Sequence, residues 1–319
     1  MAIEVTKSIS QPLAKRKRKT MLWSDLRRDK YLYLLVLPGI LYFLIFKYYP
    51  MWGIVIAFQD YSPYLGVLKS TWVGGENFIR FFTNPSFYIL FRNTMMISLL
   101  SLVFFFPLPI VLSLCMNEVG NKYVKRVIQS VVYLPHFLSW VIIAGISFLL
   151  FSQSNGIINL MLEYMGYSKV PFLTSESFFW GLLTGQNIWK DTGWGTIIFL
   201  AAITGIDSQQ YEAAKMDGAN RIRQIWHITL PGIRNVIIIL LILRLGHIMD
   251  VGFEQVFLMS NAAVSNVSDV FETYVYRNGI QQGQFSYTTA VGLFKSVIGL
   301  ALVVGANWMA KRFGEEGVY

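Results

Sequence analysis

Residues 204–234, TGIDSQQYEAAKMDGANRIRQIWHITLPGIR, carry the most specific pattern in the chain. Asp207 followed three residues later by Gln210 is a capping-box-like pair, which predicts a helix from about Ser208 through Tyr211, Glu212, Ala213 and Ala214. Gly218 can take the left-handed turn after that helix. A second short helix follows, with Ile222, Ile225 and Trp226 on one face, and Pro231 stands where the next helix can begin. The expected product is a rigid helix–turn–helix on a surface. Its small alanines permit close approach and its glutamate is exposed, which suits docking to another protein.

Outward from this segment the chain is apolar. Of its 319 residues 54% are hydrophobic and 14% charged, against roughly 25% charged in soluble domains, so lipid is the expected solvent for much of the surface. Stretches of about 20 apolar residues occur at 31–49, 95–115, 130–151, 178–202, 235–248 with its flanks, and 288–309. Six spans predict an all-α polytopic membrane protein. The fourth is weakened by Gln186, Asn187, Lys190 and Asp191, and the fifth by Arg244. A lysine or arginine at mid-membrane costs roughly 2.5–3.5 kcal/mol on insertion scales, so these polar groups must face protein or a water-filled cavity.

Six spans put both termini on one side, and the cations say which. Eighteen Lys and Arg lie in the first tail, the 116–129 and 203–234 loops and the final tail, against six in the opposite loops. That is a positive-inside pattern with both termini cytoplasmic. The net charge of +9 is therefore an orientation signal and no argument for nucleic acid. The expected organisation is a basic tail over 1–30, a six-span domain over 31–310 containing the cytoplasmic loop 204–234, and a short tail over 311–319. Residues 21–30 read either as a basic interfacial helix or as a solvated linker. The first apolar run has spanning length and no small-residue cleavage site after it, so it is read as retained. Cys115, the one cysteine, is expected to be a small core residue. The pairs Gly292/Ser296 and Ala301/Gly305 are spaced for close helix packing.

No Gly-Lys dipeptide and hence no Walker-type phosphate loop is present, the three histidines lack metal-ligand spacing, and no Gly-x-Ser-x-Gly elbow occurs. The chain is thus expected to be no enzyme, with no metal or cofactor of its own. Uphill transport would draw on a partner or an ion gradient.

Glu212-Ala213-Ala214, then Gly218 and Ile228-Thr229-Leu230-Pro231, resemble the EAA loop of permease subunits of binding-protein-dependent (type I) ABC importers. Trp189 to Gly193 and Tyr133-Leu134-Pro135 extend the resemblance towards oligosaccharide permeases of the LplB-like, polysaccharide-uptake subgroup. The resemblance implies a coupling helix seated on an ATPase subunit, with Glu212, Ala213, Ala214, Asp217 and Gly218 making that contact. It also implies a second homologous permease, two cytoplasmic ATPase subunits carrying ATP and Mg, an extracellular solute-binding protein and an oligosaccharide cargo.

The cargo path is expected among the in-span polar groups Gln186, Asn187, Trp189, Lys190, Asp191, Arg244, His247, Asp250 and Lys295. An interhelical hydrogen bond or a pair with the second permease is the alternative reading for each. Arg244 and His247 share a helix face, with Asp250 partly round from them. Lys190 is open to a pair with Asp191. Three in-span cations suit an acidic, uronate-containing oligosaccharide. A gradient-driven secondary transporter, a membrane scaffold, and an ABC permease for amino acids or phosphate are the other readings, and only the last accounts for the EAA segment.

Overall fold

Prolines divide the apolar stretches of this chain, and the helices record where. The structure is a computed structural model that describes residues 28–314 and Gly317. The basic tail and most of the expected interfacial helix over 21–30 lie outside the described residues, as do four residues of the last tail. Contacts divide the chain into two units, residues 1–55 and 56–319.

In the first unit α1 (Lys30–Phe43) runs into a wide turn at Leu44–Tyr48. In the second unit a two-residue antiparallel pair, β1 (Gln59–Asp60) with β2 (Thr71–Trp72), precedes α2 (Glu76–Thr83). This pair is the one departure from an all-helical chain among the described residues. The remaining α-helices of five residues or more are α3 (Ser86–Leu100), α4 (Pro107–Glu118), α5 (Lys122–Tyr133), α6 (Trp140–Phe151), α7 (Ile157–Tyr164), α8 (Glu176–Thr204), α9 (Ser208–Met216), α10 (Arg234–Gly246), α11 (Phe253–Met259), α12 (Phe271–Val275) and α13 (Phe285–Arg312).

Three stretches are long and apolar enough to cross a membrane: Lys30–Phe58, Ser86–Glu118 and Phe285–Arg312. Two more qualify only as bent pairs, Lys122–Phe137 with Trp140–Phe151 at 101° and Arg221–Gly232 with Arg234–Gly246 at 58°. The third expected span is therefore not straight. Pro135 has no N–H to return to the preceding turn, and the chain leaves helical geometry at Leu138 and Ser139. The fifth likewise starts at Arg234, after a break at Ile233, and not at Pro231. Three wide turns, Leu44–Tyr48, Ser101–Phe105 and Ile225–Thr229, each end two residues before a proline, Pro50, Pro107 and Pro231. A proline's missing N–H frees a carbonyl one turn back, and widening the helix there accommodates it.

The polar fourth stretch is the continuous 29-residue helix α8, about 43 Å long. Its buried face reads Phe179, Leu183, Gln186, Lys190, Gly193, Thr196, Leu200, Ile203, a helical stripe with apolar ends and a polar middle. The upper end packs with Ile97, Ala144, Val256, Met259 and Val264, and the lower end with Ile233, Ile110 and Leu240. A third cluster, rich in aromatics, joins Phe81, Leu90, Phe271, Tyr274, Tyr287 and Val291. It fixes the 59–84 segment on α12 and the start of α13, aided by Asn84 Nδ2 donating to the Tyr274 hydroxyl at 3.1 Å.

Two packing expectations are corrected. Cys115 is exposed, because Ser113 and Met116 occupy the buried face of α4. Gly292 and Gly305 have open space around them; the close approach of α13 is Gly299, where an added Cβ would lie 2.5 Å from the Gly246 carbonyl oxygen of α10.

Candidate functional site

The helix–turn–helix is built as its residues direct. Asp207 adopts extended backbone and its carboxylate accepts from the Gln209 N–H at 3.0 Å, capping α9. Gln210 contributes its backbone N–H to the Asp207 carbonyl, so the cap works through Gln209 in place of a reciprocal box. At the other end Gly218 has φ +75°. The Ala219 N–H returns to Ala214 O at 2.8 Å and the Gly218 N–H to Lys215 O at 3.1 Å, the paired bonds of a Schellman ending. Asn220 caps the next turn through the Arg223 N–H at 2.9 Å, and the Tyr211 hydroxyl lies 3.0 Å from Thr229 Oγ1, tying the two helical segments together.

This scaffold leaves Glu212, Ala213 and Asp217 exposed and Ala214 half-buried. Glu212 has no side-chain partner among the described residues. Met216, Ile222 and Trp226 are exposed beside it, so the segment presents one acid and three apolar side chains on a backbone whose ends are hydrogen-bonded. Ile225 is half-buried and does not share that exposure.

The in-span polar residues divide into four groups. Lys190 does not pair with Asp191. Its ammonium donates to the carbonyls of His136, at 2.9 Å, and Leu138, the groups freed where the third apolar stretch breaks, and lies 5.3 Å from the centroid of the Trp140 ring. Asp191 reaches the same break from beside it, with Oδ1 2.8 Å from His136 Nδ1; the His136 ring stacks on Trp194 at 4.5 Å. Gly193 closes the contact, since a Cβ there would sit 2.2 Å from the Val132 carbonyl oxygen. The Trp-Lys-x-Thr-Gly stretch is thus the seam between α8 and the broken α5–α6 pair.

Gln186 is buried in an amide chain. It donates to Ser147 Oγ at 2.7 Å and accepts from Gln255 Nε2 at 2.9 Å, while Asn187 donates to Gln255 Oε1 at 3.1 Å. Trp189 points elsewhere, into an apolar groove with Ile143, Leu150, Phe178 and Gly185.

Lys295 is held between Glu272 and Asp250, the latter at 2.8 Å, and His247 Nδ1 stands 3.4 Å from Asp250 Oδ2. At Glu272 burial prevails over Lys295 and raises the carboxyl.

Arg244 stands in the last turn of α10. One N–H donates to Ser101 Oγ at 2.6 Å and the guanidinium carbon is 5.7 Å from the Phe105 ring centroid. The helix ends at Gly246, so Arg244, His247 and Asp250 meet through the turn that follows and not along a helix face. They line a cleft of about 320 Å³, its open mouth included, with Ile97, Ser98, Ser101, Leu102 and Asn187. Four of the nine path candidates therefore converge, from α8, α10 and the turn, on residues of the α3 end. Sequence reading missed Ser98, Ser101, Gln255 and Glu272. Serines in an apolar run were the available signal for the first two; nothing local marked the others.

Apolar helices interrupted by bends and by sheltered polar groups, with a capped and exposed EAA segment, are the features of a transport permease. It belongs to the family of binding-protein-dependent transport system inner membrane components, whose description matches residues 106–315. Among its relatives is the polygalacturonan/rhamnogalacturonan transport system permease protein YteP of Bacillus subtilis (strain 168), 54% identical over 96% of this chain and 95% of that protein. Protein LplB of the same organism is 55% identical over 92% of each. A chain from the crystal structure of a bacterial alginate ABC transporter, in complex with alginate pentasaccharide-bound periplasmic protein, matches with TM-score 0.85 at 42% identity, over 93% of this chain and 99% of that one.

Proposed function

We propose that this chain is one permease half of an ATP-driven importer of oligosaccharides, acidic ones included. The observation that carries the reading is the EAA segment, held rigid at both ends with Glu212 exposed, in a chain similar to sugar ABC permeases. In this reading the chain crosses the cell membrane six times: the three long apolar stretches, the two bent pairs and α8. Both termini are cytoplasmic, with the tail 1–30, the six-span domain 31–310, the loop 204–234 on the inner face and the tail 311–319.

The partners follow from what the chain lacks. Without a phosphate loop it cannot hydrolyse ATP, so two ATPase subunits with ATP and Mg supply the free energy, and Glu212, Ala213, Ala214, Asp217 and Gly218 dock on one of them. A second homologous permease completes the pathway, and a solute-binding protein delivers cargo outside. Nucleotide and cargo then bias one bistable assembly between outward- and inward-open forms. The test is Glu212→Ala in the complete transporter. Transport should fall by roughly tenfold or more as the docking free energy is lost, with the permease still inserted at its normal level. Normal transport in that variant, or recovery of the chain without an ATPase and a second permease, would end the reading.

A further inference from the structure

We infer that Arg244 is the group that reads the carboxylate of a uronate unit in the cargo, and that Lys190 and Lys295 have no part in recognising it. The inference rests on the importer reading above and assigns its charge selectivity to one residue. Of the three in-span cations, Lys190 is 8% exposed and its ammonium is directed at two backbone carbonyls. Lys295 lies between two carboxylates with a side chain 13% exposed. Arg244, like Lys190, makes no ion pair among the described residues, but its donors are not taken up by backbone carbonyls. One of its donors is engaged by Ser101; a guanidinium has five, and its planar fork matches a carboxylate edge-on through two parallel bonds.

The surroundings favour that ligand. Asn187 offers a neutral amide beside Arg244 in the cleft, and Ile97, Leu102, Ile248 and Val251 supply the apolar part of its wall, which strengthens a charge-assisted contact. Asp250, the acid lining the cleft, is engaged by Lys295, and Asp191 by His136, so neither neutralises Arg244 by contact. In this conformation the interior has room for roughly one water-sized group. No more than the edge of a carboxylate reaches Arg244 here, and the oligosaccharide passes only when α3, α8 and α10 separate.

The test uses the complete transporter in proteoliposomes, with its binding protein loaded with either tri-galacturonate or the methyl ester of the same trisaccharide. The readout is the ratio of acid to ester uptake, in which differences in assembly cancel. Arg244→Gln should lower that ratio by roughly tenfold or more, the scale of one lost bidentate charged contact, while Arg244→Lys, which keeps the charge and loses the fork, should lower it by less. Lys190→Gln, outside the cleft lining, should leave the ratio unchanged. An unchanged ratio in Arg244→Gln overturns the assignment. If the wild type carries only the acid, acid uptake per inserted complex that stays at the wild-type level in Arg244→Gln overturns it equally. A wild-type complex that carries neither probe nor any neutral oligosaccharide of the same length removes the importer reading itself.

Discussion

Lys190 shows how one residue can satisfy the membrane without serving the cargo. A lysine inside a span needs a partner, and here the partner is the pair of carbonyls released where the α5–α6 helix breaks. Removing the ammonium leaves both buried without a donor, at about 1–3 kcal/mol each. Lys190→Met should therefore destabilise the permease by roughly 2–4 kcal/mol, read as a lower thermal unfolding midpoint of the purified protein, whereas Trp189→Phe, on the groove side, should change it little. Gly193 makes the same seam possible by absence. Gly193→Ala puts a Cβ against the Val132 carbonyl and should lower the yield of folded protein severalfold by overpacking. Gly185→Ala, eight residues earlier on the same helix with open space around it, should leave the yield near normal.

At the scale of elements, four prolines mark places where helices widen or break, while Pro38 stands inside α1 without a break. The turns before Pro50, Pro107 and Pro231 widen, and the one at Pro135 breaks outright. Hydropathy sees continuous apolar runs at these places, because carbonyl satisfaction does not alter side-chain polarity. The docking element depends on the reverse property, a residue that tolerates a left-handed backbone. Gly218→Ala forces a side chain to φ +75° and should destabilise the turn by about 1 kcal/mol. With the Schellman bonds loosened, ATP hydrolysis by the reconstituted complex should become less coupled to transport, visible as more ATP consumed per sugar imported.

For the whole molecule, the distribution of cations makes a claim that folding geometry alone does not: both ends inside. Reporters that fluoresce only in the cytoplasm, fused to either terminus, should both be active, and a cysteine placed in the 204–234 loop should resist a membrane-impermeant reagent added to intact cells. Activity at one end only would leave an odd number of crossings and require a different accounting of the bent pairs.

The fold class, the apolar stretches, the capped loop with Gly218 and the list of polar residues needing shelter were all legible in the residues, because each rests on local chemistry: hydropathy, capping oxygens and glycine's backbone freedom. Which shelter each polar residue takes was not. Lys190 and Arg244 look alike as cations in weak spans, and Glu272 and Gln255 carry no local mark at all. Only the packing of α8 against the broken α5–α6 pair, and of α10 against α3 and α13, brings a carbonyl to one cation and a carboxylate to another while leaving the third facing a cleft. Those contacts join residues 23 to 143 positions apart, beyond the reach of local pattern, so tertiary structure alone decides them.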